Sequence, residues 1–199
     1  HGDFILPDNV PSSEFLNLEG NKFSTSRNWA VWLHDFLERY PDKVDELRYV
    51  LTAIAPESKD ADFTWKEFQL RINSELCGIL GNFINRSVVL IHKYFDGIVP
   101  VRNELSAPDN EVLEALSKYP SIISEKIKVY KIREAQQEVI NVARLGNKYL
   151  ADQEPWKVIK TDEKRVETIM SISLEITSVL GVLLMPFLPE SAKKIQTIL

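Results

Sequence analysis

Apolar residues recur at three- and four-residue spacing along most of the chain, the period of an amphipathic helix, and only the first 27 residues depart from it. There, Phe15-Leu16-Asn17-Leu18 and the stretch after Gly20-Asn21 predict two short strands around a tight turn, with Pro7 and Pro11 keeping the preceding segment extended. From Asn28 onward the pattern is helical. Trp29, Trp32, Leu33, Phe36 and Leu37 form one stripe that ends before Pro41, and Val44, Leu47, Val50 and Leu51 form another that stops before Pro56. Thr64-Trp65-Lys66-Glu67 reads as a capping box, with the Thr64 hydroxyl and the Glu67 carboxylate satisfying first-turn amides. The helix it opens is expected to reach about Phe95, with Gly97 ending it. Gly78 and Gly81 mark points of bending or of close approach by another helix.

Pro108 and Asp109 start the next helical stretch, which Pro120 is expected to break or kink. Residues 134–152 carry Ala135, Val139, Val142, Ala143, Leu145 and Tyr149 near one side. Pro155-Trp156 punctuates the chain, residues 162–185 form a long apolar helix, and Pro189 opens a last one. No repeat of fixed period occurs. The predicted fold is mainly α, a helical bundle behind a short β-containing entry segment.

Composition narrows the chemistry. The 199 residues include 44% hydrophobic and 27% charged side chains, which excludes intrinsic disorder. Cys77 is the single cysteine, so neither an intramolecular disulfide framework nor a multi-cysteine zinc site is available, and the expected setting is cytoplasmic. Cys77 itself is expected to be a small buried hydrophobe. Residues 169–188 come nearest to a membrane span, but Ser171, Ser173, Glu175 and Thr177 interrupt them, which predicts a core helix and no membrane partner. The net charge of −5 conceals an asymmetry: six Lys/Arg against twelve Asp/Glu in residues 1–62, and ten against six in residues 126–165. Mild overall acidity therefore leaves room for a local anion-binding patch, although a solvated surface produces such imbalances too. His1, His34 and His92 belong to no nucleophile–base pair, and no HExxH, P-loop or GxGxxG pattern occurs.

Two constellations remain. Lys22-Phe23-Ser24-Thr25-Ser26-Arg27 crowds two cations and three hydroxyls between a strand turn and a helix start, a composition suited to a rearranging polyphosphate and equally to an ordinary helix cap. Asn82, Asn85 and Arg86, with Trp156 far along the chain, combine amide and guanidinium groups able to read base edges with an indole able to stack on a base, although Asn-xxx-Arg pairs are common. Asn82 and Arg86 are neighbours on one helix face. A Pro-Trp step also serves often as a core anchor.

Their order along the chain carries a resemblance. Lys22-Phe23-Ser24-Thr25-Ser26 resembles the KMSKS signature of class I aminoacyl-tRNA synthetases, and Asp45-Glu46-Leu47-Arg48-Tyr49-Val50-Leu51 resembles the D-x-LRYYL segment that follows it. Gly81-Asn82-Phe83-Ile84-Asn85-Arg86, Lys93-Tyr94-Phe95-Asp96-Gly97, and Asn147-Lys148-Tyr149-Leu150 with Pro155-Trp156 are similar to the anticodon domain of methionyl-tRNA synthetases. The resemblance spans essentially the whole chain. It implies a fragment. Residues 1–62 would be the end of a catalytic domain with its KMSKS-like loop and stem-contact region, and residues 63–199 the helical anticodon-binding domain.

Further implications concern roles. The HIGH signature, the methionine pocket and the zinc-binding insertion would lie before His1, so the fragment alone is expected to be inactive and metal-free. Lys22, Phe23, Ser24, Thr25 and Ser26 would form the loop closing over ATP while the methionine carboxylate attacks the α-phosphate, with Lys22 and Thr25 in the catalytic positions. Asn82, Arg86 and Trp156 would read the CAU anticodon of tRNA(Met). Thr25 stands where the family usually has a second lysine, so that position lacks a charge, and Arg27 is placed to compensate. The competing readings are another class I synthetase's anticodon domain and a non-enzymatic helical module using the Trp29/Trp32/Phe36 stripe as a partner groove.

Overall fold

A computed structural model describes residue 2 and residues 5–199. His1, Asp3 and Phe4, including one of the three histidines weighed above, lie outside the described residues. The mainly α architecture expected from the periodicity is the one observed. The entry segment forms a three-stranded sheet of order β2-β1-β3, from β1 (Leu16–Leu18), β2 (Asn21–Lys22) and β3 (Ala61–Phe63). Strands β1 and β2 are antiparallel, with Asn17 opposite Lys22, while β3 runs parallel to β1 with Leu18 opposite Phe63. The tight turn is Glu19-Gly20, both at positive φ (50° and 75°), and the Gly20 amide donates to the Asp62 carboxylate at 2.9 Å.

Helices α1 (Leu33–Arg39) and α2 (Val44–Ala53) link the hairpin to β3. The first stripe was expected to be helical from Trp29, but α1 starts at Leu33. Trp29 is committed elsewhere: its backbone pairs with Ser24, its indole N–H donates to the Leu18 carbonyl at 3.1 Å, and Asn28 holds φ 52°. Of that stripe only Phe36 is buried.

From Trp65 to Phe95 the chain is continuously helical but not uniformly α. Helix α3 (Trp65–Arg71) passes into a π-helical segment (Ile72–Gly81) and then into α4 (Asn82–Phe95). Thr64 caps α3 by accepting from the Glu67 amide, whereas the Glu67 carboxylate pairs with Arg71, so only half of the expected box forms. In the π segment a Cβ on Gly78 would meet the Asn73 carbonyl at 3.1 Å and one on Gly81 the Leu76 carbonyl at 3.0 Å. Glycine relieves the crowding that the wider turn creates. Cys77 lies on the exposed side of this segment, facing a groove lined by Leu188, Ser191 and Ile195, which corrects the expectation of a buried thiol. Asp96 and Gly97 end α4 in left-handed conformations.

The bundle continues with α5 (Ala107–Lys128), α6 (Ile132–Gln153), the single turn α7 (Pro155–Val158), α8 (Glu163–Leu183) and α9 (Pro189–Ile198). Helix α5 runs through Pro120 without a break. The residue is exposed, and buried Leu116 and Ile123 on either side of it hold the helix to the core against the loss of one helical hydrogen bond. Helix α8 is long and apolar enough to cross a membrane by composition, yet Ile169, Met170, Ile172, Ile176 and Leu180 are fully buried in the bundle core.

Candidate nucleic-acid interface and phosphate loop

Asn82, Arg86 and Trp156 come together where α4, α6 and α7 meet. Helix α4 starts at Asn82, so Asn82 and Arg86 project one turn apart. Gly146 on α6 lets the helices approach so closely that the ring of buried Phe83 occupies the space of a missing Cβ. At this contact the Asn82 amide Nδ2 donates to Asn147 Oδ1 at 2.9 Å, across 65 residues of sequence. Asn147 is itself fixed. Its Nδ2 donates to the carbonyls of Ile79 (2.8 Å) and Ala143 (3.1 Å), and Ile79 belongs to the π segment. The arrangement leaves the Asn82 Oδ1 and one amide proton for an outside partner.

Trp156 arrives from the other direction. Helix α6 ends at Glu154 in a left-handed conformation (φ 43°), and buried Pro155 starts α7, turning the chain back toward α4. The Arg86 guanidinium lies over the Trp156 ring, 5.1 Å from its centroid. Among the described residues Arg86 has no carboxylate partner, and the indole is half-buried. A guanidinium, a free amide edge and an indole with exposed surface thus share one edge of the bundle. Asn85 does not join them; it lines the groove on the α9 side with Cys77 and Lys194.

The second constellation is a compact loop. Lys22 ends β2 with its ammonium exposed, 5.0 Å from the Phe15 ring centroid. Paired amides and carbonyls of Ser24 and Trp29 (2.9 and 2.8 Å) close the loop, and the Asn28 amide donates to the Thr25 carbonyl at 3.0 Å. Ser24 Oγ lies 3.3 Å from Ser26 Oγ and accepts from Arg27 Nε at 3.3 Å. Arg27 therefore folds back over the serines, which adds a second cation to the loop beside Lys22. Phe23 is half-buried under it, while the Thr25 and Ser26 side chains face solvent.

Family models match both halves: one described as tRNA synthetases class I (M) over residues 1–88, and one described as the anticodon binding domain of methionyl tRNA ligase over residues 99–199. The chain belongs to the methionine–tRNA ligase family. A methionine–tRNA ligase of Christiangramia forsetii is 60% identical over 199 residues, covering 100% of this chain and 29% of its own length. That of Flavobacterium psychrophilum is 60% identical over 198 residues. Mycobacterium tuberculosis methionyl-tRNA synthetase in complex with methionyl-adenylate superposes with a TM-score of 0.84 at 27% identity, over 92% of this chain and 36% of that one. The chain thus spans under a third of the curated relatives it matches.

Within this family frame, sequence reasoning missed Asn147 as a partner of Asn82, although the Asn-x-Tyr stretch contains it. It also missed a buried polar cluster around Asp109. Asp109 is fully buried and accepts from the Ser106 amide and hydroxyl (2.8 and 2.7 Å), from the Tyr149 hydroxyl (2.5 Å) and from the two terminal guanidinium nitrogens of Arg165 (2.5 and 2.9 Å). Burial opposes ionisation of Asp109, but these donors outweigh it and hold the carboxyl well below the usual carboxylate range. Burial and the Asp109 carboxylate push the Tyr149 hydroxyl up. The Ser106-x-x-Asp109 spacing, a capping box just before an apolar run, was the available signal.

Proposed function

We propose that this chain is the tRNA-binding part of a cytoplasmic methionine–tRNA ligase, the intact protein charging tRNA(Met) with L-methionine at the expense of ATP. In that reading residues 1–62 belong to the catalytic side, with the stem-contact region, and residues 63–199 form the anticodon-binding domain. The sheet ending at Phe63 and the capped helix beginning at Trp65 support a division close to that point, after Phe63 rather than before it.

What supports the reading most is the Arg86–Trp156 stack beside the Asn82–Asn147 amide pair. The indole stacks on an unpaired anticodon base, while Asn82 and Arg86 donate to base edges, and together they select CAU. At the other end of the chain, Lys22 and Arg27 with the Ser24, Thr25 and Ser26 hydroxyls attend the triphosphate as the methionine carboxylate attacks the α-phosphate and pyrophosphate departs. Thr25 contributes a hydrogen bond in place of a charge. The methionyl-adenylate bound to the Mycobacterium tuberculosis protein is the product of that step. Zinc belongs to another part of the family's chain in this reading.

Binding of an anticodon stem-loop RNA by the intact protein tests the anticodon assignment. Trp156→Ala should weaken binding of the CAU loop by about 1–3 kcal/mol, the worth of one base–aromatic stack. Arg86→Gln should weaken it and reduce discrimination against altered anticodons. Melting temperature should stay constant in both. A fall in melting temperature with RNA selectivity intact would make Trp156 a core anchor and sink the reading.

A further inference from the structure

We infer that Asp109 is a positioning residue for Trp156, acting through Arg165 and Gln153; the inference rests on the anticodon reading of Trp156. Helix α7, which carries Trp156, is a single turn of four residues and far too short to hold its own geometry. Its entry at Glu154 is a left-handed corner at a non-glycine residue, a conformation that persists only where the surroundings fix it. What fixes this corner is visible on both sides. Upstream, the last turns of α6 carry Tyr149 and Gln153; downstream, the first turn of α8 carries Arg165, whose amide is capped by Asp162 at 2.9 Å.

One carboxylate ties the two sides together. Asp109 accepts the Tyr149 hydroxyl from α6 and both Arg165 nitrogens from α8, and the Arg165 NH2 group reaches on to Gln153 Oε1 at 2.7 Å. The segment bearing Trp156 is therefore clamped at Gln153 and at Arg165 by a single hub, itself locked by two bonds from Ser106. A bidentate guanidinium–carboxylate pair is directional, so it fixes angle as well as distance. Buried Pro155 and half-buried Val158 seat α7 on the core, and the directional bonds of the hub add the angle at which the Trp156 segment is held. The Asp109 hub has no hydrogen bond to Asn82 or Arg86, and its bonds through Arg165 and Gln153 lead to the segment that carries Trp156.

The test uses Asp109→Asn in the intact protein, with and without Trp156→Ala, and two readouts. In protein labelled with 5-fluorotryptophan, the Trp156 fluorine resonance, assigned by its loss in Trp156→Phe, should shift and broaden in Asp109→Asn while the signals of Trp29 and Trp32 stay in place. With a CAU stem-loop RNA, Asp109→Asn should weaken binding roughly tenfold in the Trp156 background and leave it unchanged in the Trp156→Ala background. An unmoved Trp156 resonance, or an equal loss of RNA binding in both backgrounds, overturns the positioning role. If Trp156→Ala alone binds CAU RNA as tightly as the parent, the anticodon reading fails, and the fluorine signal still decides whether Asp109 positions the ring. Should Asp109→Asn fail to melt cooperatively, Gln153→Ala replaces it. That change removes only the outer link and should move the same resonance at constant melting temperature; an unmoved resonance overturns the proposal.

Discussion

The ring of Phe83 occupies the place of a side chain on Gly146: a Cβ there would lie 2.4 Å from Phe83 Cε2 and 2.5 Å from Cζ. Phe83 follows Asn82 and Gly146 precedes Asn147, so the contact that forbids a Cβ is also the one that closes the amide pair of the candidate reading surface. Gly146→Ala brings a helix-propensity gain of about 1 kcal/mol against an overpacking cost of about 1–3 kcal/mol, because both partners sit in a filled core. The net effect should be a lower melting temperature by a few degrees, together with weaker binding of a CAU stem-loop. Gly146→Ala combined with Phe83→Leu should recover part of the stability. A stabilised single variant would show that the helices have slack to separate.

The π segment makes a second prediction from backbone alone. Alanine at Gly78 or Gly81 would crowd the Asn73 or Leu76 carbonyl at 3.1 and 3.0 Å. In an ordinary helix either substitution stabilises by about 1 kcal/mol. Here that gain should be absent, and thermal melting of the two alanine variants should show no rise. A rise of several degrees in either would mean that the turn relaxes to α geometry at no cost.

These two cases show where the sequence was readable. The periodicity of α2, α4, α6 and α8 announced itself because burial on one face repeats with the helical turn. Strand β3 did not, because three residues supply no alternation to detect and its partner β1 lies more than forty residues away. The start of α1 was misplaced because a tryptophan at helical spacing reads as helical until its backbone is seen pairing with Ser24. Cys77 misled because its neighbours Leu76, Ile79 and Leu80 are apolar, whereas in the π segment the thiol itself is exposed. Asn82, Arg86 and Trp156 were each legible as candidates, while the Asn147 link and the Asp109 hub depend on contacts between distant helices that no local pattern encodes.

For the Lys22–Arg27 loop, position separates two residues of similar sequence interest. The Lys22 ammonium is exposed and has no carboxylate partner among the described residues, whereas Thr25 engages the loop through its carbonyl and leaves its side chain in solvent. In the intact protein Lys22→Ala should lower the rate of methionine-dependent ATP–pyrophosphate exchange by about a hundredfold, about 3 kcal/mol of transition-state stabilisation, with little change in methionine affinity. Thr25→Ala should cost less, and Thr25→Lys should be tolerated because the site is open. A Lys22→Ala effect confined to the methionine Michaelis constant would remove Lys22 from phosphate chemistry.

Acid stability offers a test that needs no RNA. An Asp in an unfolded chain titrates near about 3.9. In the folded protein burial raises the Asp109 pKa, but the bonds from Arg165, Tyr149 and Ser106 lower it further, so the net folded value lies below the unfolded one. A depressed folded pKa contributes stability that is fully present above the unfolded value and drains away as pH falls through the folded one. Asp109→Asn should therefore destabilise the protein at pH 7 by about 3 kcal/mol, since it strips the charge partner from a largely buried Arg165. The difference from the parent should shrink steadily below about pH 4. Glu114 supplies the control. Its carboxyl is likewise held low, by Lys118, but the pair is exposed, so Glu114→Gln should leave the acid profile where it was. Urea unfolding at pH 7, 5, 4 and 3 distinguishes the cases: parallel curves for the parent and Asp109→Asn across that range would mean that the buried carboxylate carries no linked proton.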